Sequence, residues 1–175
     1  MKLSLQKDLA GPILDLGGGG EGVIGLIYGG QVTAIDNRQE ELDEAPEGPV
    51  KLVMDAAALA FADSSFQTVT AFFSLMYMDR ATQGRAVREA ARVLRPGGQL
   101  HLWDAVIASA WPTPFLIDLD IDAAGIHLHT TYGVGKKDAA QGSGYFDGLC
   151  RSTGLVPGGR WEDGGVFHLW FSKPE

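Results

Sequence analysis

A short apolar run followed by four consecutive glycines constrains this chain more than any other feature of its sequence. Ile13–Leu16 predicts a buried strand, Gly17–Gly20 follow it directly, and residues 23–28 predict a short helix. Glycine is needed where a backbone turns sharply or approaches a ligand closely. The glycines at positions 17, 19 and 22 match the G-x-G-x-x-G spacing of nucleotide-binding loops, although a ligand-free turn can show the same spacing.

The rest of the chain continues the alternation of strands and helices that this loop begins. Further strands are predicted over residues 31–36, 50–54, 66–75, 99–107 and 166–172, and helices over 38–44, 82–94 and 144–153. Strands that alternate with helices favour right-handed crossovers and a parallel sheet. We therefore expect an α/β protein with a three-layer, Rossmann-like, mostly parallel sheet and helices on both faces.

One segment departs from this alternation. Residues 115–122 and 126–132 alternate apolar and polar side chains, which predicts a hairpin with one face in water. A length of 175 residues suits one domain. We expect a single domain over residues 1–175, with a short N-terminal leader at 1–10 and this hairpin inside an insert at about 108–140.

Charge and cysteine content exclude several kinds of partner and location. The formal net charge of −8 disfavours binding to nucleic acid or to an anionic membrane. No apolar stretch suits a membrane span or a signal peptide. The single cysteine, Cys150, cannot form an internal disulfide, which suits a cytoplasmic protein, and we expect it to behave as a small buried hydrophobic residue.

Acidic residues lie at the ends of three consecutive predicted strands. Asp15 lies near the end of the first, Asp36 ends the second, and Asp55 follows the third. The carboxyl ends of parallel strands meet at one edge of a sheet, and an acid about 20 residues after a glycine loop can bind ribose hydroxyls. Each acid alone fits a helix cap as well as a ligand site. The three together predict one nucleoside-binding crevice.

The charges beside the glycine loop distinguish between nucleotide cofactors. Asp15 and Glu21 flank the glycines and would repel the pyrophosphate of a dinucleotide, which needs bare amides at a helix N-terminus. S-adenosylmethionine (SAM) carries no phosphate, and nearby carboxylates stabilise its sulfonium and ammonium groups. The loop therefore favours SAM over NAD or FAD.

Five segments in a fixed order resemble the class I SAM-dependent methyltransferases. The segments are Ile13–Gly19, Ala34–Asp36, Asp55–Ala56, Leu59–Phe66 and Ala91–Gly98. They extend over about residues 10–107 and are specific as a set, whereas none is specific alone. The resemblance implies a seven-stranded sheet with one antiparallel strand near its edge, and SAM lying across the ends of strands one to four.

The resemblance also implies which residues bind the cofactor. They are Asp15, Gly17, Gly18, Gly19, Glu21, Asp36, Asn37, Asp55, Ala56, Phe73 and Ser74. On this basis Asp15 is expected near the methionine part of SAM, Asp36 at the ribose and Asp55 at the adenine, with the last two residues near the methyl donor. Glu21 stands where a third motif glycine is commonest, and Gly22 can serve in its place.

The sequence constrains the methyl acceptor less. Residues 73–77 contain no Asn/Asp-Pro-Pro-Tyr run, which disfavours methylation of nucleobase or glutamine amides. Candidates for the acceptor pocket are Met76, Tyr77, Trp103, Asp104, Trp111 and Tyr132, each of which also fits plain packing. Methyl transfer depends on alignment and exclusion of water more than on a base, so we assign no catalytic residue. Because the leader is short, we expect the insert or a partner subunit to cover this pocket.

The predicted hairpin carries histidines and aspartates at alternating positions. They are His127, His129, Asp118, Asp120 and Asp122. Facing strands would bring them together as metal ligands or as a solvated face, and the second interpretation is favoured because two histidines at this spacing are a weak signal. We therefore expect no metal.

We interpret the chain as a SAM-dependent methyltransferase that acts on an unidentified small-molecule acceptor. One alternative is a non-catalytic SAM-binding or interaction module, because no catalytic signature is present. A further alternative is an NAD-dependent oxidoreductase on the same type of sheet, which the acidic flanks of the loop disfavour. A homo-oligomer is compatible with the sequence.

Overall fold

The computed structural model describes residues 1–175 and contains ten strands and four α-helices. The strands are β1 (Lys2–Leu5), β2 (Ile13–Leu16), β3 (Val32–Asp36), β4 (Val50–Val53), β5 (Phe66–Phe72), β6 (Leu94–Ala105), β7 (Phe115–Ala123), β8 (Ile126–Val134), β9 (Val156–Asp163) and β10 (Val166–Ser172). The helices are α1 (Val23–Tyr28), α2 (Gln39–Glu44), α3 (Arg80–Val93) and α4 (Ser143–Ser152). None of them is long and apolar enough to span a bilayer.

Seven strands form one mixed sheet, in the order β4-β3-β2-β5-β6-β10-β9. The strands from β4 to β6 are parallel, and β10 runs antiparallel to both of its neighbours. This confirms the expected seven-stranded, mostly parallel sheet with one antiparallel strand near its edge. The strand order reverses between β2 and β5, and open α/β sheets bind ligands at such a reversal.

Both faces of this sheet are buried, because the side chains of β2 alternate between two apolar cores. Ile13 packs in the core that includes Ile24 of α1. Leu14 and Leu16 pack in the second core, which includes Phe146 of α4 and the inward face of α3. Helices therefore cover both faces, as predicted.

A second, three-stranded sheet lies on the α1 side of the molecule. Strands β7 and β8 form an antiparallel hairpin, and β1 pairs in parallel with β7. Its inner face contributes Leu119, Ile121 and Tyr132 to the same core as α1. Its outer face carries alternating polar side chains, among them the exposed Asp122 and His127. The hairpin is therefore fixed against the main sheet by apolar packing on one side only.

Strands β1 and β9 were not predicted from the sequence. β1 is only four residues long, and its partner β7 lies more than a hundred residues away in the chain, so no local pattern indicates it. β9 contains Gly158 and Gly159, and glycines are more typical of turns than of strands. A Cβ added at Gly158 would lie 2.5 Å from Cδ1 of Trp170, so the indole of the neighbouring strand occupies the space that a side chain would need.

Candidate active site

A cleft of about 680 Å³ lies at the carboxyl ends of β2, β3, β4 and β5. This volume is within the range of small-molecule sites. All the residues that we predicted to bind the cofactor line it: Asp15, Gly17, Gly18, Gly19, Glu21, Asp36, Asn37, Asp55, Ala56, Phe73 and Ser74. The fold therefore gathers residues from four strand ends at the point where the strand order reverses.

The glycine loop forms the floor of this cleft, and side chains would not fit there. Gly17 has a φ of +71°, and an added Cβ would collide with Cβ of Ser74. A Cβ at Gly19 would lie 2.5 Å from Cβ of Glu41 and 3.0 Å from Oδ2 of Asp36. The bare backbone leaves a cradle that a ligand can approach closely, and this fits the methionine part of SAM.

Asp15 is buried beneath this loop, and only 2% of its surface is exposed. Its Oδ1 accepts a hydrogen bond of 2.7 Å from Oγ1 of Thr70. Burial is the main cause that raises the pKa of Asp15 to about 7; the Thr70 hydrogen bond opposes this rise, and the charge of Asp36 adds to it. A carboxyl group with such a raised pKa at a cleft is typical of a functional site, since a cationic ligand would stabilise its charged form.

Asp36 and Asp55 lie on the β3–β4 side of the cleft. Oδ1 of Asp36 accepts the backbone N–H of Arg38 at 3.0 Å, and Oδ1 of Asp55 accepts that of Ala57 at 2.8 Å. Both side chains also line the cleft. The two interpretations considered for these acids, a local cap and a ligand-facing carboxylate, are thus compatible, since each carboxylate has a second oxygen.

At the other end of the cleft the backbone after β5 is strained. Phe73 has a φ of +48°, a conformation that bulky residues rarely adopt. Its N–H donates to the carbonyl oxygen of Trp103 at 2.8 Å, and Oγ of the next residue, Ser74, donates to the carbonyl oxygen of Leu16 at 2.6 Å. These bonds hold the post-β5 turn beside the glycine loop.

The β7–β8 hairpin covers this end of the cleft. The ring of Tyr132 stacks on that of Phe73, with centroids 4.8 Å apart and planes at 9°. Oγ1 of Thr130 donates a hydrogen bond of 2.5 Å to Oε1 of Glu21 in the glycine loop. Burial, and then the negative charge of Glu21, raise the pKa of the Tyr132 hydroxyl above its ordinary value. The insert therefore supplies a wall at this end of the cleft, through Thr131 and Tyr132.

Two of the six candidates for the acceptor pocket, Tyr77 and Tyr132, line the cleft. Met76 and Trp103 are buried in the α1-side core, and the indole of Trp103 packs flat on the imidazole of His168, with centroids 4.1 Å apart. Trp111 is 56% exposed and does not line the cleft. These three residues therefore pack in the core or lie exposed on a loop, and none of them lines the cleft.

Asp104 also lies outside the cleft, but it holds one of its walls. Its Oδ2 accepts the backbone N–H of Met76 at 3.1 Å, and its Oδ1 accepts Nε2 of Gln141 at 2.9 Å. Burial raises its pKa to about 7, although these hydrogen bonds favour the charged form. Asp104 therefore fixes the turn over Leu75–Tyr77, which places Tyr77 at the cleft.

The histidines of the hairpin form cross-strand pairs on its outer face. Nδ1 of His127 lies 2.7 Å from Oδ1 of Asp122, and Nδ1 of His129 lies 2.9 Å from Oδ1 of Asp120. Both histidines are mostly exposed. No group of three or more His, Cys, Asp or Glu side chains is arranged to hold a metal ion. Cys150 lies on the buried face of α4 and does not line the cleft.

Tyr132 and Lys136 have the Tyr-x-x-x-Lys spacing of some oxidoreductase catalytic pairs, and the structure separates their contacts. The Tyr132 hydroxyl faces Glu21, whereas Nζ of Lys136 donates to the carbonyl oxygen of Met78 at 2.7 Å. Tyr132 lies on strand β8 and not on a helix. The four-residue spacing therefore does not place Lys136 on the same helix face as Tyr132. The spacing therefore does not form such a pair here.

Several lining residues were not predicted. They are Gly20, Val23, Ile35, Arg38, Glu41, Met54, Phe72, Met78, Asp79, Thr82 and Thr131. Asp79 had a usable signal, because an acid before an amphipathic helix predicts an N-cap, and its Oδ1 accepts the N–H of Thr82 at 2.7 Å. Thr131 had none, since only the folded hairpin brings it to the cleft.

Comparison with known proteins identifies the family. The model of a family described as a methyltransferase domain matches residues 14–102, which include the glycine loop, all three acids and the post-β5 turn. The chain belongs to this methyltransferase-domain family. SAM is the cofactor of the family, as the loop and its acidic flanks led us to expect.

Two curated relatives are similar over about 120 residues. A 27-O-demethylrifamycin SV methyltransferase of Amycolatopsis mediterranei is 32% identical over 122 residues, which are 63% of this chain and 43% of the relative. The O-methyltransferase resE of Aspergillus sclerotiorum is 33% identical over 114 residues, 58% of this chain and 42% of the relative. This methyltransferase domain thus spans less than half the length of the curated relatives that it matches.

Solved structures share the fold at low sequence identity. A SAM-dependent methyltransferase from Methanosarcina mazei has a TM-score of 0.65 at 21% identity, with 93% of this chain and 92% of that one covered. The [4+2]-cyclase SpnF has a TM-score of 0.69 at 18% identity, with 93% and 74% covered. Because proteins with different names share this fold, function must be argued from the cleft.

Proposed function

We propose that this domain transfers a methyl group from SAM to a small-molecule acceptor. The observation that carries the proposal is the convergence on one cleft of a side-chain-free glycine cradle, three strand-end carboxylates and a strained post-strand turn. The residues present fit the cofactor, because the cradle is narrow and its surroundings are acidic. A dinucleotide pyrophosphate would meet the carboxylates of Asp15 and Glu21 instead of a cationic or neutral surface.

The cofactor would lie along the cleft in the order of the strands. Asp55 and Ala56 would contact the adenine, and Asp36 and Asn37 the ribose hydroxyls. The backbone of Gly17–Gly19 would hold the methionine part, with the carboxylate of Asp15 near its ammonium group. Phe73 and Ser74 would then face the methyl group. When bound, SAM supplies a methyl group on a positively charged sulfur, and the chain's own residues hold it, align the acceptor and exclude water.

The acceptor is proposed to be a small molecule. One of the two curated relatives is named as an O-methyltransferase, and the other as a methyltransferase of 27-O-demethylrifamycin SV. These names support a hydroxyl acceptor. The acidic chain makes nucleic acid and anionic membrane surfaces poor partners. We further propose that residues 1–175 act as one domain in the cytoplasm, alone or as a homo-oligomer.

Calorimetric titration with S-adenosylhomocysteine and, separately, with NADH tests this proposal. We expect S-adenosylhomocysteine to bind and NADH not to bind. The variant Asp36→Ala should bind S-adenosylhomocysteine more weakly by about 1–3 kcal/mol, because the charged hydrogen bonds to the ribose are lost. Asp163→Ala, which changes an exposed acid at the end of β9, is the matched control and should leave the affinity unchanged.

Three outcomes would count against the proposal. Binding of NADH without binding of S-adenosylhomocysteine would favour the oxidoreductase. An unchanged affinity in folded Asp36→Ala would place the ribose elsewhere. Binding of S-adenosylhomocysteine with no transfer of radiolabelled methyl from SAM into any small molecule of a cell extract would favour a non-catalytic binding module.

A further inference from the structure

Three of the six carboxylates that line the cleft accept hydrogen bonds from the backbone. Asp36 and Asp55 each accept one turn N–H, and Asp79 accepts the N–H of Thr82 as the N-cap of α3. Asp15 is buried and accepts the hydroxyl of Thr70. One oxygen of each of these four carboxylates is thus already held, and Asp36 and Asp55 lie at the β3–β4 end of the cleft.

Glu21 differs from these acids in both its partner and its position. Its Oε1 accepts a hydrogen bond from the hydroxyl of Thr130 on the hairpin, and the hydroxyl of Tyr132 faces the same carboxylate. A carboxylate has about four lone-pair positions, so these contacts leave accepting capacity available. Glu21 stands in the glycine loop of β2, between the β3–β4 end that carries Asp55 and the post-β5 turn that carries Phe73.

The surroundings of Glu21 are aromatic and lack cations. Phe73 and Tyr132 stack on each other, and Tyr77 lines the same end of the cleft with half of its surface exposed. The one cation that lines the cleft is Arg38, which lies on the β3 side and forms a salt bridge of 2.8 Å with Glu41. This end of the cleft therefore suits a flat, uncharged acceptor and repels an anionic one.

The other lining groups at the hairpin end are less suited than Glu21 to accept the proton of such an acceptor. The cleft lining contains no histidine, lysine or cysteine. Burial raises the pKa of both Tyr77 and Tyr132, so both hydroxyls stay protonated at neutral pH. A general base must lie within hydrogen-bond reach of the proton that it removes, and Glu21 is the carboxylate at this end that faces the aromatic wall.

We propose that Glu21 is the catalytic base of this domain and that its acceptor is an uncharged aromatic hydroxyl compound bound against Tyr77 and Tyr132. This inference rests on the proposed function. In the transfer, the acceptor oxygen forms a bond to the methyl carbon while the carbon–sulfur bond of SAM breaks. The acceptor O–H proton moves to Glu21, and the sulfur leaves as the neutral thioether S-adenosylhomocysteine. Thr130 holds the carboxylate toward the acceptor and is a positioning residue.

The test compares Glu21→Gln with wild type on two phenols of different acidity, with SAM as donor. The un-ionised 4-methylphenol needs a base, whereas 4-nitrophenol is largely ionised at mildly alkaline pH and needs none. Both are compared by kcat at saturating concentration, because the acidic cleft binds the 4-nitrophenolate anion more weakly. We expect Glu21→Gln to lower kcat for 4-methylphenol by about 100-fold and for 4-nitrophenol by less than about threefold. Glu44→Gln, at the exposed end of α2, is the matched control and should match wild type on both phenols.

Binding of S-adenosylhomocysteine, measured for every variant, separates this inference from the proposed function. If wild type fails to bind it, the proposed function fails, and the inference with it. If Glu21→Gln binds it more than about tenfold more weakly, Glu21 is a cofactor-binding residue and the base assignment is overturned. Equal defects on the two phenols, or no defect on either, would also overturn it.

Two further results complete the test. Thr130→Val keeps the carboxylate and removes only its positioning bond, so we expect kcat for 4-methylphenol to fall several-fold while the affinity for S-adenosylhomocysteine is kept. If wild type binds S-adenosylhomocysteine but methylates neither phenol, while methylating an amine such as benzylamine, the aromatic hydroxyl class is wrong. Circular dichroism of each variant shows that the loss of activity does not reflect unfolding.

Discussion

The two ends of the cleft are built in different ways. At the β3–β4 end, Asp36 and Asp55 are each fixed by a hydrogen bond to a backbone N–H two residues away. At the hairpin end, Glu21 is bound to Thr130, which lies 109 residues further along the chain. The first end is therefore determined by local sequence, and the second only by the packing of the β7–β8 hairpin on the main sheet.

This difference separates the two tasks of the cleft. A cofactor shared by a whole family can be bound by short motifs that fold locally. An acceptor that differs between relatives can be selected by an insert, because the insert can change without disturbing the main sheet. The comparison predicts that substitution of the glycines Gly17–Gly19 affects cofactor binding strongly, whereas changes in the hairpin affect it little.

Substitution of Gly17 should have the largest effect. We expect Gly17→Val to weaken binding of S-adenosylhomocysteine by roughly 100-fold, because φ is +71° there and the new side chain would collide with Ser74. Gly144→Ala is the matched control: nothing lies within 4 Å of its added Cβ, and its affinity should equal that of wild type. Wild-type affinity in folded Gly17→Val would mean that the loop does not form the cofactor site.

The same division between local sequence and hairpin packing separates what the sequence predicts from what it does not. The strands from β2 to β6 and the lining residues Asp15, Asp36 and Asp55 were predicted, because continuous apolar runs and strand-end acids are local signals. The stacking of Tyr132 on Phe73 and the bond from Thr130 to Glu21 could not be predicted, because they depend on how the hairpin docks. The same holds for β1, whose partner is β7.

The raised pKa of Asp15 predicts a smaller, pH-dependent effect on the affinity for S-adenosylhomocysteine. The pKa of Asp15 in the folded, ligand-free protein is raised to about 7, and the ammonium group of a bound ligand would favour its charged form. As pH falls through 7, Asp15 becomes protonated before binding, so the ligand must displace a proton and its affinity falls. We expect S-adenosylhomocysteine to bind about fivefold more weakly at pH 6 than at pH 7. Calorimetry at the two pH values measures this.

The variant Asp15→Asn is the control for that pH dependence. Asparagine keeps the shape of the side chain but cannot titrate, so binding should be weaker at neutral pH and nearly the same at the two pH values. An unchanged pH dependence of binding in Asp15→Asn would assign the effect to another group.

The folding stability of wild type has the opposite pH dependence to its ligand affinity. Because the folded pKa is raised, the contribution of Asp15 to stability decreases as pH rises from about 4 to about 7.

The hairpin bond should have the smallest effect on cofactor binding and a separate effect on stability. We expect Thr130→Val to lower the free energy of unfolding by about 1 kcal/mol, because one hydrogen bond to a carboxylate is lost while the shape of the side chain is kept. Affinity for S-adenosylhomocysteine should change less than about twofold. Urea denaturation and calorimetry measure the two quantities. Asp122→Ala removes the exposed pair with His127 on the outer face of the same hairpin, and we expect it to change stability by less than about 0.5 kcal/mol. If Thr130→Val instead weakens the cofactor strongly, the hairpin belongs to the cofactor site, and the two ends of the cleft do not divide cofactor from acceptor.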